Sequence, residues 1–468
     1  MPTFLPAWTR PDRAFLAIAL VFGTALVLLI PPFQSADEPY HFLRAYQITE
    51  GEFVSRQTDT RGFAGGYLPI SLYELWLPFS KIGFHPDVKA SVQQIRDAMR
   101  IPLQPQARIF ITFPNTAHYC PTCYVPQCLG IALGRVLHLP PLAMLYLGRE
   151  ANLLFWILLG FFALRSAPAI ARPLFLLLLM PMSLYVASTL SADPSTNAEA
   201  ILFTALICKY FNSGPHSIGR KAFLLLLVLS VPLCVSKLVY VPLLALLLLI
   251  PARNFGGTGK FMAKFAALAA ICAALLLSWV RASSNLDTRN SMSNNVSARA
   301  QFQLLEQHPT HFAALLGETL QQRGWSFLQS YVGVIGWLDM YLPAPVVVGY
   351  VLLLLAACWW CEDQPPLPSP ILSATAILPA VIISFLAIAL LDYLYWSPVG
   401  FPFIDGIHGR YLIPLTPAIF ILACSVARRL PQRLRPHPPP AILNAATILI
   451  SLGICSYFLI VVWNRYYG

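Results

Sequence analysis

The stretch Ala14-Phe-Leu-Ala-Ile-Ala-Leu-Val-Phe-Gly-Thr-Ala-Leu-Val-Leu-Leu-Ile30 runs directly into Pro31-Pro-Phe-Gln-Ser-Ala-Asp-Glu-Pro-Tyr-His-Phe-Leu-Arg-Ala-Tyr-Gln47. The first part is apolar and close to the roughly 20 residues that a helix needs to cross a bilayer. The second part places two adjacent carboxylates, a histidine and an arginine where that span meets water. Ionisable groups at such a depth are costly, and chains keep them there for a purpose. The pair therefore reads as a first membrane span, 14–32, that opens onto a reactive surface.

The rest of the chain fits this beginning. Of its 468 residues, 57% are hydrophobic and only 11% charged, whereas soluble domains carry about a quarter charged residues. A mean hydropathy of +0.64 agrees. Leucine-rich runs such as Leu174–Leu179 and Leu243–Ile250 indicate helices rather than the weakly alternating ten-residue segments of a barrel. The expected fold is a single all-α polytopic membrane domain over 1–468. Ala14–Ile30 is too long for a signal core and no small-residue cleavage site follows it, so it is expected to remain as the first span.

Beyond 33–141, a long polar stretch with charged amphipathic pieces at Lys89–Arg100 and Val125–Leu139, apolar segments lie near 142–165, 173–190, 196–212, 222–236, 238–251 and 261–280. A second polar stretch, 281–342, precedes segments near 344–361, 371–391, 411–427 and 441–463. Two of these readings are open: Val125–Leu139 is either a span or an interfacial helix, and 222–250 is either one span or a hairpin at Ser236-Lys237. Charge decides both. With an interfacial helix and a hairpin, Arg10, Arg13, Arg165, Arg172, Lys209, Arg220, Lys221, Arg253, Lys260, Lys264 and the Arg428–Arg435 cluster fall on one side, with Lys237 on the other. That side then carries 14 of the 31 basic residues but only Asp12, Glu362 and Asp363 of the acids, and holds the whole net charge of +11. Cytoplasmic loops collect Lys and Arg in this way, so the positive charge needs no nucleic-acid partner. The expected topology has about 11 transmembrane helices, spans 2–7 within 142–280 and 8–11 within 343–463. The N-terminus is cytoplasmic, and both long polar stretches lie on the periplasmic face of a bacterial inner membrane, the first with interfacial helices. The cytoplasmic loops are too short for a nucleotide-binding domain, and no Gly-x-x-x-x-Gly-Lys loop occurs.

Several polar residues gather on the outer face under this topology. If the chain after Asp37 is helical, Asp37, His41 and Arg44 share a face, with Pro39 tolerated in the first turn and Asp37 favoured by the helix dipole. The plainer alternative is an amphipathic surface helix capped by its acids. Asp193 follows in Ser191-Ala-Asp-Pro194, Lys237 in its apolar hairpin, Asp339 in Gly336-Trp-Leu-Asp339, and Asp405, His408, Arg410 and Tyr411 in Asp405-Gly-Ile-His-Gly-Arg-Tyr411. Lys237 reads equally as a snorkelling lysine, and a lone histidine such as His41 or His408 is usually structural. Arg410 is suited to phosphate, being always charged and able to bond bidentately. A carboxylate at this surface can act as general base on a hydroxyl, and cations beside it can stabilise a departing phosphate. Most of the ten cysteines are scattered through apolar spans as small hydrophobes. Cys120-Pro-Thr-Cys123 reads as two packed thiols, with a local disulfide or half of a zinc site as alternatives.

The layout resembles the GT-C class of integral-membrane glycosyltransferases, in which a catalytic Asp, often within an Asp-Glu or Asp-Asp pair, lies just after the first span. The chain is also similar to a bacterial family of predicted membrane proteins, through the motif of residues 31–47, Tyr124-Val-Pro-Gln-Cys-Leu-Gly130, Ser191-Ala-Asp193, Gly336–Asp339 and Gly409-Arg-Tyr411. The resemblance implies a GT-C-like fold with Asp37 as catalytic base and Glu38 and Asp193 as further carboxylates of the site. It also implies Lys237, Arg410 and Arg44 as cations for the donor phosphate. The implied donor is a polyprenyl-phosphate sugar, and the acceptor a cell-surface glycan or a lipid, within surrounding membrane lipids. Some members use a divalent cation, Mg or Mn, for which Asp37, Glu38 and Asp193 would be the ligands, although carboxylates alone are not diagnostic. The rival reading is a transporter or flippase of lipid-linked sugars; such folds carry internal repeats and midplane broken helices, and no repeat is evident in this sequence.

Overall fold

Pro11 and Asp12 open the first helix, Pro11–Leu29, proline at its favoured first position and the acid near the positive end of the dipole. The helix stops because Pro31 and Pro32 follow: Ile30 is already extended, at φ −71° and ψ 116°, as a residue before proline prefers. Such an end leaves carbonyls without donors. Arg149, from the middle of the Pro141–Ser166 helix, supplies them, reaching Val27 O at 3.1 Å, Ile30 O at 2.7 Å and Pro31 O at 3.0 Å. The two helices pack closely along small residues, with a Cβ at Gly160 coming within 2.8 Å of the Phe15 ring.

This computed structural model describes residues 10–55, 57–284, 286, 295–431, 433 and 438–468. Arg435 and much of the early part of the 281–342 stretch lie outside the described residues. The described chain is mostly helical and has no closed sheet, as an all-α membrane protein requires. Among the described residues, five helices are long and apolar enough to cross a membrane: Pro11–Leu29, Pro141–Ser166, Thr258–Ser283, Pro370–Tyr395 and Pro440–Tyr466. A sixth candidate is broken, Pro168–Leu179 and Pro181–Ala187 meeting at 65° where Pro181 interrupts the apolar segment expected at 173–190. Asp193–Phe211 and Arg220–Ser236 are also helical, as are the shorter apolar pieces Leu238–Leu249, Ala344–Trp359 and Thr416–Ala427.

The apolar block 222–250 does fold back on itself. Lys237 is extended, at φ −145° and ψ 102°. The far ends of its two arms are tied by His216 N to Arg253 O, 3.0 Å, and Ile218 N to Asn254 O, 2.9 Å. Val125–Val136 is a 12-residue helix laid against the start of Pro141–Ser166, so closely that a Cβ on Gly130 would sit 2.2 Å from Leu147 O.

The two ends of the bundle differ chemically. At one, Arg172 and Arg428 reach the carbonyls of Trp360, Pro365 and Glu362, and Asn212 donates to Pro366 O. At the other end the stretches after residue 30, around 115–124 and 189–193, and after residues 236, 333 and 396 come together. The first polar stretch holds more than helices. Ala64–Pro69 is the centre of an antiparallel three-stranded sheet with Gln57–Thr58 and Arg108–Thr112, Gly66 facing Ile111 and Tyr67 facing Phe110. Its centre strand has two glycines and a proline, poor strand formers, yet Gly65 is needed: a Cβ there would lie 2.2 Å from Ile111 O. The second stretch contributes the helices Ala298–Gln307 and His311–Val332, then the Val334–Ile335 and Met340–Tyr341 hairpin.

Candidate active site

The helix after the first span runs Glu38–Thr49, and Asp37 is its N-cap residue. Asp37 is left-handed, φ 62° and ψ 3°, a conformation that Asp and Asn tolerate better than other side chains. Asn115 Nδ2 donates to Asp37 Oδ1 at 2.7 Å. The other carboxylate oxygen accepts no hydrogen bond among the described residues. Burial pushes the Asp37 carboxyl above its usual range, with the nearby Arg410 and the Asn115 hydrogen bond opposing the rise.

Glu38 points elsewhere. It is fully buried and forks onto Arg149, Oε1 to Nε at 2.8 Å and Oε2 to Nη2 at 2.6 Å. Leu190 N also donates to it at 3.0 Å. Glu38 and Arg149 thus bolt the first span, the motif helix and the turn before Asp193 together. Arg44 is likewise drawn away from the phosphate-binding group expected for it: it is buried and donates to Gln47 Oε1, Glu52 O and Phe53 O. Asp339 pairs with Arg465 at 2.6 Å, and Arg465 also holds Ile82 O and Val88 O, so this acid anchors the last helix.

The remaining charges converge. Asp193, the first residue of its helix, pairs with Lys237 and has Arg410 Nε at 3.8 Å. The Lys237 ammonium lies 5.1 Å from the Tyr411 ring centre and 5.9 Å from that of Tyr119, within cation–π range. Tyr240 donates to Tyr411 O at 3.0 Å, tying the Lys237 hairpin to the turn that carries Arg410. That turn is pressed onto the His311–Val332 helix: Gly409 N donates to Ser330 Oγ at 2.7 Å, and a Cβ on Gly409 would meet Phe327 O at 2.0 Å. Asp37, Arg410, Asp193 and Lys237 therefore form one electrostatic cluster. Asp405 and His408 line a second open cavity, of about 910 Å3, beside it.

His41 Nδ1 is 2.7 Å from the Tyr124 hydroxyl. Burial pushes its pKa down to about 3, and the same cause brings His118 to about 4 and His408 to about 3. These rings are neutral in the folded protein but protonate near pH 6.5 when unfolded. The unfolded state therefore binds more protons below that pH. The stability they contribute is complete above about pH 6.5 and falls as the pH drops toward the folded values, by up to about 1.4 kcal/mol per pH unit per histidine. Melting of the detergent-solubilised protein at pH 7.5 and 5.0 is expected to show this loss, and His41→Gln is expected to reduce it. Equal pH dependence in the variant would contradict the role given to His41.

Among the described residues no three His, Cys, Asp or Glu side chains stand close enough to hold a metal ion. Asp37, Glu38 and Asp193 do not fit that task, because Arg149 occupies Glu38 while Lys237 and Arg410 occupy Asp193. Cys120 and Cys123 are free buried thiols, Cys123 Sγ donating to Cys120 O. Sequence reasoning overlooked Arg149, Asn115 and Tyr119. Arg149 had a usable signal, a charge inside an apolar segment. Asn115 and Tyr119 had none beyond their place in the long polar stretch.

Fold and site together define an α-helical integral membrane protein with an ionic cluster at one end of its bundle. The chain belongs to the family described as Predicted membrane protein (DUF2142), whose profile matches residues 20–419. No curated protein matches it.

Proposed function

We propose that the protein is a GT-C-type glycosyltransferase, moving a sugar from a polyprenyl-phosphate donor to a glycan or lipid acceptor on the periplasmic face. The observation that carries this reading is the position of Asp37: a half-buried carboxylate with one oxygen held by Asn115 and two cations, Arg410 and Lys237, gathered around Asp193 beside it. In this reading the five long helices, the broken pair and the five shorter helical segments make eleven crossings. The Arg172 and Arg428 end faces the cytoplasm, as the positive-inside rule asks.

Asp37 takes the proton of the acceptor hydroxyl, and the freed oxygen attacks the anomeric carbon. The bond from that carbon to the phosphate oxygen breaks, and its electron pair leaves with the polyprenyl phosphate. Arg410 and Lys237 offset the charge gathering on that phosphate, so the leaving group needs no proton. Asp193 holds the two cations in place before the donor arrives. Glu38 takes no part in the chemistry and acts through its bond to Arg149.

Arg410→Ala is expected to lower turnover on the order of 10²–10³-fold, as loss of one transition-state charge partner does. Arg410→Lys is expected to recover only part of it, since ammonium cannot reproduce a planar fork. Release of free polyprenyl phosphate from the lipid-linked sugar, followed with purified protein, measures both. Undiminished release by Arg410→Ala would remove it from the phosphate site.

A further inference from the structure

The Asp37 carboxylate faces an open cavity of about 710 Å3. Three indoles, Trp76, Trp337 and Trp396, form much of its wall together with Tyr40. Two of them are seated against glycines. A Cβ on Gly83 would come within 2.6 Å of the Trp337 ring, and one on Gly406 within 2.5 Å of the Trp396 ring. Trp337 is also fixed by its Nε1 donating to Phe33 O at 3.0 Å. These are flat apolar faces held in position rather than a pliable greasy surface.

Besides the Tyr40 hydroxyl and the indole N–H groups, the polar groups of the same cavity offer hydrogen-bond acceptors. Gln34, which is 1% exposed, gives its Nε2 to Phe79 O at 3.0 Å, which fixes its amide orientation, and its Oε1 has no donor. Asn115 gives Nδ2 to Asp37, and its Oδ1 likewise has no donor. Ser80 spends its hydroxyl proton on Leu77 O. A buried oxygen without a donor costs free energy that a ligand hydroxyl can recover. Among the described lining residues there is no Lys or Arg, so the cavity is unsuited to a phosphate.

We infer that this cavity binds a neutral sugar ring, the saccharide acceptor of the transfer reaction, in preference to a lipid or phosphorylated acceptor. Sugar rings present apolar C–H faces to indoles and hydroxyl donors at their edges, the combination that Trp76, Trp337 and Trp396 meet with Gln34, Asn115 and Asp37. The hydroxyl nearest Asp37 Oδ2 would be the one glycosylated. The inference rests on the proposed transferase reading, which keeps the phosphate on the Arg410 and Lys237 side.

Binding without donor tests it. Full-length protein in detergent is titrated with the methyl glycosides of glucose, galactose, mannose, rhamnose and N-acetylglucosamine, and with glucose 1-phosphate and galactose 1-phosphate, following tryptophan fluorescence. At least one neutral glycoside is expected to bind saturably, more tightly than either sugar phosphate. Trp396→Leu and Gln34→Leu are expected to weaken that binding at least tenfold. Trp396 serves as the second variant because its side chain makes no hydrogen bond among the described residues, so its replacement leaves no polar group stranded. Saturable binding of no neutral glycoside, tighter binding of the phosphates, or unchanged affinity in a folded Trp396→Leu protein would overturn the inference. Glycoside binding without any sugar transfer would leave the neutral-sugar site standing and sink the transferase reading, and with it the acceptor role. Transfer to a lipid acceptor, with both variants unaffected, would do the reverse.

Discussion

Asp37→Asn is expected to abolish sugar transfer, lowering turnover on the order of 10²–10⁴-fold as loss of a general base does, while the protein folds normally. The fold should tolerate the change for two local reasons. Asparagine accepts the left-handed conformation at φ 62° as readily as aspartate, and its carbonyl oxygen can still accept from Asn115. The change also removes a charge that burial already disfavours. Under the proposed mechanism the base must be ionised, so turnover of the native protein should fall as the pH drops through the Asp37 pKa, which burial raises from 3.8. Transfer rates alongside melting curves check both parts. A purified, folded Asp37→Asn protein with unimpaired transfer would refute the assignment of the base.

The largest loss of stability is expected at Arg149. Arg149→Met leaves the Glu38 carboxyl at zero exposure without its guanidinium partner, and strips the donors from Val27 O, Ile30 O and Pro31 O. Breaking a buried ion pair by removing one partner costs about 3–5 kcal/mol, and the orphaned carbonyls add to it. Glu38→Gln should cost less, because Arg149 keeps its three carbonyl partners and an acceptor oxygen at position 38. Removing both charges, Glu38→Leu with Arg149→Met, should cost less than the sum of the two single replacements. Unfolding in detergent across these variants gives the order directly. An Arg149→Met protein as stable as the native one would show that the pair does not hold the motif helix to the first span.

These two expectations also mark where sequence reasoning reached and where it stopped. The first span, its abrupt end at Pro31-Pro32 and the helix after it follow from local rules: an apolar run, two residues that cannot continue a helix, and a proline suited to a first turn. The hairpin at Lys237 was legible because one lysine in an apolar block had to lie at a surface, and charge balance chose the turn. Adjacency misled at Asp37-Glu38. Asp37 stands outside the helix in the left-handed conformation while Glu38 is the helix's first residue, so one carboxylate faces the cavity and the other faces Arg149. Arg44 is on the expected face, but Glu52 and Phe53 fold back to offer it carbonyls, a tertiary event with no local signal. The strand Ala64–Pro69 was illegible because Gly65 is there for the close approach of Ile111, and Gly66 for that of the Gln47 side chain, and not for strand propensity. The cavity is built from side chains more than 350 positions apart in sequence, Phe33 to Trp396, and no pattern along the chain announces it.

The central claim is that Asp37 drives transfer of a sugar from a lipid phosphate, and sealed proteoliposomes containing a sugar-labelled polyprenyl-phosphate donor and a glycan acceptor test it most directly. The native protein is expected to release free polyprenyl phosphate and place the label on the acceptor, and the Asp37→Asn protein to do neither. Movement of intact donor across the membrane with no free polyprenyl phosphate formed would contradict the transferase and identify a flippase instead.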